Sequence, residues 1–137
     1  MAPEPPATMD RMDQTTNPNA PYFDPRAARA ELSAIFAKAG SVADARPLVV
    51  DRLKALVATA RASARANFEA DHNGRRCAMG LAHFQDELIR LVFDYTATHV
   101  YRATNPSDAE RMAIVATGGY GRELLAPGSD IDLLFLL

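Results

Sequence analysis

At 137 residues and 14.9 kDa the chain has room for one ordinary domain, and 15 Lys+Arg against 17 Asp+Glu leave a formal charge of −2, which gives no bulk attraction to nucleic acid or anionic membranes. Its single cysteine, Cys77, rules out an internal disulfide and a multi-thiolate zinc site, so a reducing, cytoplasmic setting is expected. No window approaches the roughly 18 consecutive apolar residues of a membrane helix, and no apolar secretory core is read near the amino terminus, so neither nucleic acid nor membrane is an expected partner.

Six of the nine prolines fall between Pro3 and Pro25, among Thr, Asn, Gln and Asp. That composition buries too little apolar surface to offset the entropy of ordering. Residues 1–23 are therefore expected to form a disordered tail, with Tyr22 and Phe23 able to dock it onto the folded part. From Asp24 the pattern is helical, and the abundance of alanine favours helix over a thick core. Asp24 caps a first helix that carries Pro25 in its first turn, shows Leu32, Ile35 and Phe36 at helical spacing, and stops at Gly40. Asp44 and Pro47 repeat that start signal for a second helix, whose stripe is Leu48, Val49, Leu53, Leu56 and Val57, continuing to about Ala70. Asp71-His72-Asn73-Gly74 supplies a break, with Gly and Asn as the residues that tolerate left-handed angles. A third helix follows, with Leu81, Phe84, Leu88, Leu91, Val92 and Tyr95 as its apolar face and Asp86 and Arg90 placed to pair on the outer one. Asn105-Pro106-Ser107-Asp108 reads as a further cap and short helix.

The period then switches. Residues 112–117 and 131–137 are short apolar runs that read as strands, separated by Gly118-Gly119 and Pro127-Gly128-Ser129. Strand alternation puts Asp130 and Asp132 on one face, with Ile131 and Leu133 turned to the core. Two outward carboxylates suit a hard divalent cation such as Mg²⁺, which takes one or two of them together with substrate phosphates. Gly118 and Gly119 allow a phosphate to approach bare backbone N–H groups, and a helical turn over 120–125 would aim its positive end at the same anion. Arg122 reads equally as a cationic contact to that anion or as an ion pair with Glu123, and Ser129 as a phosphate contact or a turn residue. The dinucleotide fingerprint fails for want of a third glycine, the P-loop for want of a lysine after the glycines, and a calcium loop for want of oxygen side chains over 133–137.

Gly118-Gly119 followed after ten residues by Asp130-Ile131-Asp132 resembles the signature of the DNA polymerase β-like nucleotidyltransferase superfamily. Gly118-Gly119-Tyr120-Gly121-Arg122, with Leu125-Ala126-Pro127-Gly128-Ser129-Asp130-Ile131-Asp132-Leu133-Leu134, is similar to the bifunctional PII uridylyltransferase/uridylyl-removing enzymes of nitrogen regulation. So are His83-Phe84-Gln85-Asp86-Glu87-Leu88-Ile89-Arg90 and Thr98-His99-Val100-Tyr101 upstream. The resemblance implies an α+β fold, with a helical segment over 24–111 followed over 112–137 by the first two strands of a polymerase β-like sheet, incomplete in this chain. It implies that Asp130 and Asp132 hold Mg²⁺ against UTP as the catalytic carboxylates, and that Gly118 and Gly119, with Arg122 and Ser129, receive the triphosphate. UMP would pass to a tyrosine of the PII regulatory protein, and glutamine would act as effector. The chain departs from the pattern at Glu123, where the family usually has Gly, and at Leu124, where Glu is usual. Family members continue for several hundred residues, and here the last apolar run has no turn or polar cap, so an amino-terminal fragment, inactive alone, is expected. Two other readings stand beside this one: an adenylyltransferase that modifies glutamine synthetase, and a non-catalytic helical interaction module over 24–100.

The remaining chemistry-bearing residues read as structural. His72, His83 and His99 lie 11 and 16 residues apart, so no two make a helical metal pair. Cys77 reads as a small packing residue, and Arg61 and Arg65 as a solvated helix face.

Overall fold

The computed structural model describes residues 22–102 and 112–137; the tail up to residue 21 and the helix expected after Asn105 lie outside them. Helix α1, Pro25–Ala39, begins where the Asp24 carboxylate accepts the N–H groups of Arg26 at 2.8 Å and Ala27 at 3.2 Å. It ends where Gly40 turns to φ 77° and returns its N–H to the Phe36 carbonyl, a left-handed stop. Helix α2, Val42–Asp71, starts earlier than Asp44 and Pro47 suggested. Its cap is Ser41, whose hydroxyl accepts the Asp44 N–H at 3.1 Å and donates to the Asp44 carboxylate at 2.7 Å. This is a variant of the reciprocal capping box, so Asp44 is the third helical residue and Pro47 lies inside the helix.

The break between α2 and α3 also differs from the expectation. The left-handed residue is His72, at φ 53°, while Asn73 caps the next helix by accepting the Arg76 N–H at 3.0 Å and Gly74 is merely its first residue. An asparagine cannot serve as an extended cap and a left-handed stop at once, and the cap wins because it satisfies an otherwise orphaned donor. Helix α3, Gly74–Tyr95, runs into a π-helical turn, Thr96–Val100. Here His99 meets Ser33 Oγ at 3.2 Å and stacks on Phe36 and Tyr95, a structural role.

Two apolar clusters hold these elements. In the first, Ala28, Leu32, Val49, Leu56 and Leu91 join the three helices, with Leu32 and Leu91 each only 1% exposed. In the second, Ala64 of α2 and Cys77, Leu81 and Ala82 of α3 take up Tyr120 and Leu125 from the chain beyond the helices. Cys77 packs there, its thiol 3.8 Å from the Ala64 carbonyl. Tyr22 and Phe23 dock on Phe84 with ring centroids 6.4 and 5.8 Å away. Arg29–Asp94 and Arg52–Glu31 bridge helices at the surface, where such pairs contribute little.

Strands β1, Ala113–Ala116, and β2, Leu133–Leu136, pair antiparallel with Ala116 opposite Leu133 and Ala113 opposite Leu136. The second strand thus begins two residues later than the apolar run. Thr117 still donates its N–H to the Asp132 carbonyl at 3.1 Å, but Gly118 at φ 62° carries β1 away from the ladder, so residues 130 and 131 have no strand to pair with. Ala116 and Leu133 pack toward the second cluster. Val115 and Leu134, on the opposite face, stay exposed. Among the described residues the result is three α-helices and a two-stranded sheet in an α+β arrangement, and no helix there is long and apolar enough to cross a membrane.

Candidate active site

The loop that leaves β1 and the approach to β2 meet at Gly118. A Cβ built on that glycine would stand 3.1 Å from the Asp132 Oδ2 atom, so the carboxylate lies directly over the turn. The positive φ and this close approach both call for a residue without a side chain. Among the described residues no backbone carbonyl takes the N–H of Gly118 or Gly119. Carbonyl groups of the same loop are used instead to close it: Gly121 donates to Thr117 at 2.8 Å, and Arg122 and Leu124 both donate to Gly119 at 3.1 Å. The Gly118 backbone and one carboxylate therefore lie close together. A phosphate there would be repelled by Asp132 unless a cation stood between them, and an oxygen donor of this kind suits Mg²⁺.

The rest of the predicted set lies on the 3₁₀ turn after Gly119 and on the approach to β2. Asp130 and Asp132 are both exposed and both lie ahead of β2, not within a strand, so strand alternation does not set the relation of the two carboxylates. Ile131, expected in the core, is 40% exposed. The turn expected over 120–125 is a single 3₁₀ turn, Tyr120–Arg122, ended by Glu123 at φ 60°; so short a segment carries little macrodipole. Arg122 is exposed and among the described residues makes no ion pair, with Glu123 or otherwise. Ser129 closes a turn by giving its N–H to the Ala126 carbonyl at 3.1 Å. It also lines an apolar cavity of about 480 Å³ between α2, α3 and the 125–131 segment. No group of three His, Cys, Asp or Glu side chains gathers among the described residues, so a metal here would rely on these aspartates and on its substrate.

One contact escaped the sequence reading. Asp86 does not pair with Arg90, which binds Glu87 instead; it accepts the Tyr120 hydroxyl at 2.6 Å. Tyr120 is only 5% exposed. Burial first, and then the hydrogen bond to Asp86, hold its phenol well above the ordinary value. The signal was present in the spacing: Ala82, Ile89 and Phe93 form a second apolar stripe on α3, and Asp86 interrupts it. A carboxylate inside an apolar stripe needs a donor from whatever packs there.

The chain is 47% identical over 131 residues to the bifunctional uridylyltransferase/uridylyl-removing enzyme of Bradyrhizobium sp. strain BTAi1, a match covering 94% of this chain and 14% of that relative. It is 49% identical over 116 residues to the enzyme of the same description from Nitrobacter hamburgensis, covering 84% and 12%, and 43% identical over 107 residues to that of Azospirillum brasilense, covering 78% and 12%. The chain thus spans about one seventh or less of the length of these relatives. No family model matches it, and no solved structure gives a significant match.

Proposed function

We propose, from the homology of this chain to a part of the bifunctional uridylyltransferase/uridylyl-removing enzymes, that it supplies the triphosphate turn and two metal-binding aspartates of a nucleotidyltransferase. The full activity belongs to a polypeptide of the relatives' length, and the 137-residue chain alone is inactive. The substrate is UTP, the acceptor is a tyrosine of the PII regulatory protein, glutamine is the effector, and the setting is cytoplasmic. The observation that carries the reading is the Asp132 carboxylate seated beside Gly118, whose Cβ position is 3.1 Å from Oδ2.

Asp130 and Asp132 would hold Mg²⁺, which when bound neutralises charge on the triphosphate. The N–H groups of Gly118 and Gly119 would orient the phosphates, with Arg122 free to add a positive charge from the exposed side. The acceptor hydroxyl attacks the α-phosphorus and gives up its proton to solvent, a new O–P bond forms, and the bond to pyrophosphate breaks, with pyrophosphate leaving on its electron pair. The chain's contribution is positioning and electrostatics, the main resources in phosphoryl-group chemistry. The relatives' name favours uridylyl over adenylyl transfer.

In the full-length protein, Asp132→Ala and Asp130→Ala are expected to reduce incorporation of label from UTP into purified PII protein by at least ~100-fold, with thermal stability little changed because both aspartates are exposed. Label from ATP into glutamine synthetase should be absent with wild type. Full transfer by either aspartate variant would overturn the assignment.

A further inference from the structure

The glycine turn is anchored to α3 at two places. Leu125 donates its N–H to the Ala78 carbonyl at 3.1 Å, and Tyr120 donates its hydroxyl to Asp86 Oδ1 at 2.6 Å. Between these anchors the turn has no slack: a Cβ on Gly121 would lie 2.5 Å from the Ala116 carbonyl oxygen, so the 3₁₀ turn is pressed against the end of β1. Tyr120 immediately follows Gly119. A shift of its ring therefore moves the glycine backbone that lies beside Asp132. Ile89, Ala116 and Leu133 pack against the second apolar cluster, to which Tyr120 belongs, and line one cleft with it. Burying a phenol in that cluster would cost free energy without an acceptor, and α3 provides one.

We infer that Tyr120 and Asp86 are positioning residues for nucleotide binding, a hydrogen-bonded tether that sets the Gly118-Gly119 turn against Asp132. Neither touches the substrate. The inference rests on the nucleotidyltransferase reading above and adds to it two residues that act through the turn. The tether joins a helix of the amino-terminal bundle to the nucleotide site, so α3 is part of the transfer machinery.

The test uses the full-length protein, with transfer measured from UTP and uridylyl removal measured in the same preparations. Tyr120→Phe keeps the ring and deletes only the hydroxyl. It and Asp86→Ala are each expected to raise KM for UTP about tenfold, with kcat changed less and removal unaltered. The double variant should be no worse than either single one, since both delete the same bond. Asp86→Asn keeps a carbonyl oxygen that accepts the phenol and should restore most of the affinity. Wild-type KM in Tyr120→Phe would overturn the inference. So would an equal fall in transfer and removal together with a lowered melting temperature, which marks a purely structural residue. Asp132→Ala run alongside separates the two claims: if it abolishes transfer while Tyr120→Phe is silent, only the tether fails, and if it retains transfer, the underlying reading fails.

Discussion

Glu123 stands at φ 60°, closing the 3₁₀ turn with its N–H on the Tyr120 carbonyl at 2.9 Å. A Cβ in the left-handed region meets its own carbonyl, at a cost of about 1–2 kcal/mol that glycine does not incur. Glu123→Gly is therefore expected to stabilise the chain by roughly 1 kcal/mol, after the extra entropy of an unfolded glycine is subtracted, read as a higher urea midpoint at unchanged slope. No change or a loss would mean that the Glu123 side chain makes up for its backbone. The same turn shows why single residues in this region are hard to assign from spacing alone. Gly121 lacks room for a side chain beside a backbone carbonyl, whereas a side chain on Gly118 would press on a carboxylate; only Gly118 lies against a candidate functional group.

At the level of the element, the start of α2 decides between two candidate caps. Ser41 and Asp44 are both good capping residues, and Pro47 is a common first-turn residue, so the pattern beginning at Asp44 is self-consistent. The fold selects Ser41 because the left-handed Gly40 delivers the chain there, and Asp44 then becomes the reciprocal partner. Ser41→Ala should cost about 1 kcal/mol in chemical denaturation. A silent Ser41→Ala would return the cap to Asp44. The helix tolerates Pro47 because it falls in the second turn, where only one hydrogen bond is lost. The two strands are shorter than their apolar runs for a similar reason: the ladder ends where Gly118 turns, and hydrophobicity cannot extend pairing past a partner that has left.

For the whole molecule, three phenols link packing to pH. Tyr22, Tyr95 and Tyr120 are all raised above the ordinary value, each chiefly by burial. Above pH ~10 the unfolded chain gives up these protons while the folded one keeps them. The folded state then binds more protons, so stability falls as pH rises; the contribution is complete below the unfolded phenol value and lost above it. Urea unfolding between about pH 8 and 11 should show that decline, and Tyr120→Phe should make it shallower. An unchanged slope would mean that Tyr120 ionises freely in the folded protein. The same burial ties the second apolar cluster together, since Tyr120 and Leu125 are the two residues by which the turn enters the helical layer.

Local chemistry in the amino-acid sequence was enough to determine the three helices and the two strands. Caps such as Asp24, a stop such as Gly40 and a change of period from 3.6 to 2 all act within a few residues. Tertiary packing decided what those signals leave open. Asp86 looked like one half of an Asp86–Arg90 pair because helical spacing knows only its own helix. The hydroxyl that claims it comes from 34 residues further on, and a buried phenol must find an acceptor wherever the fold puts one.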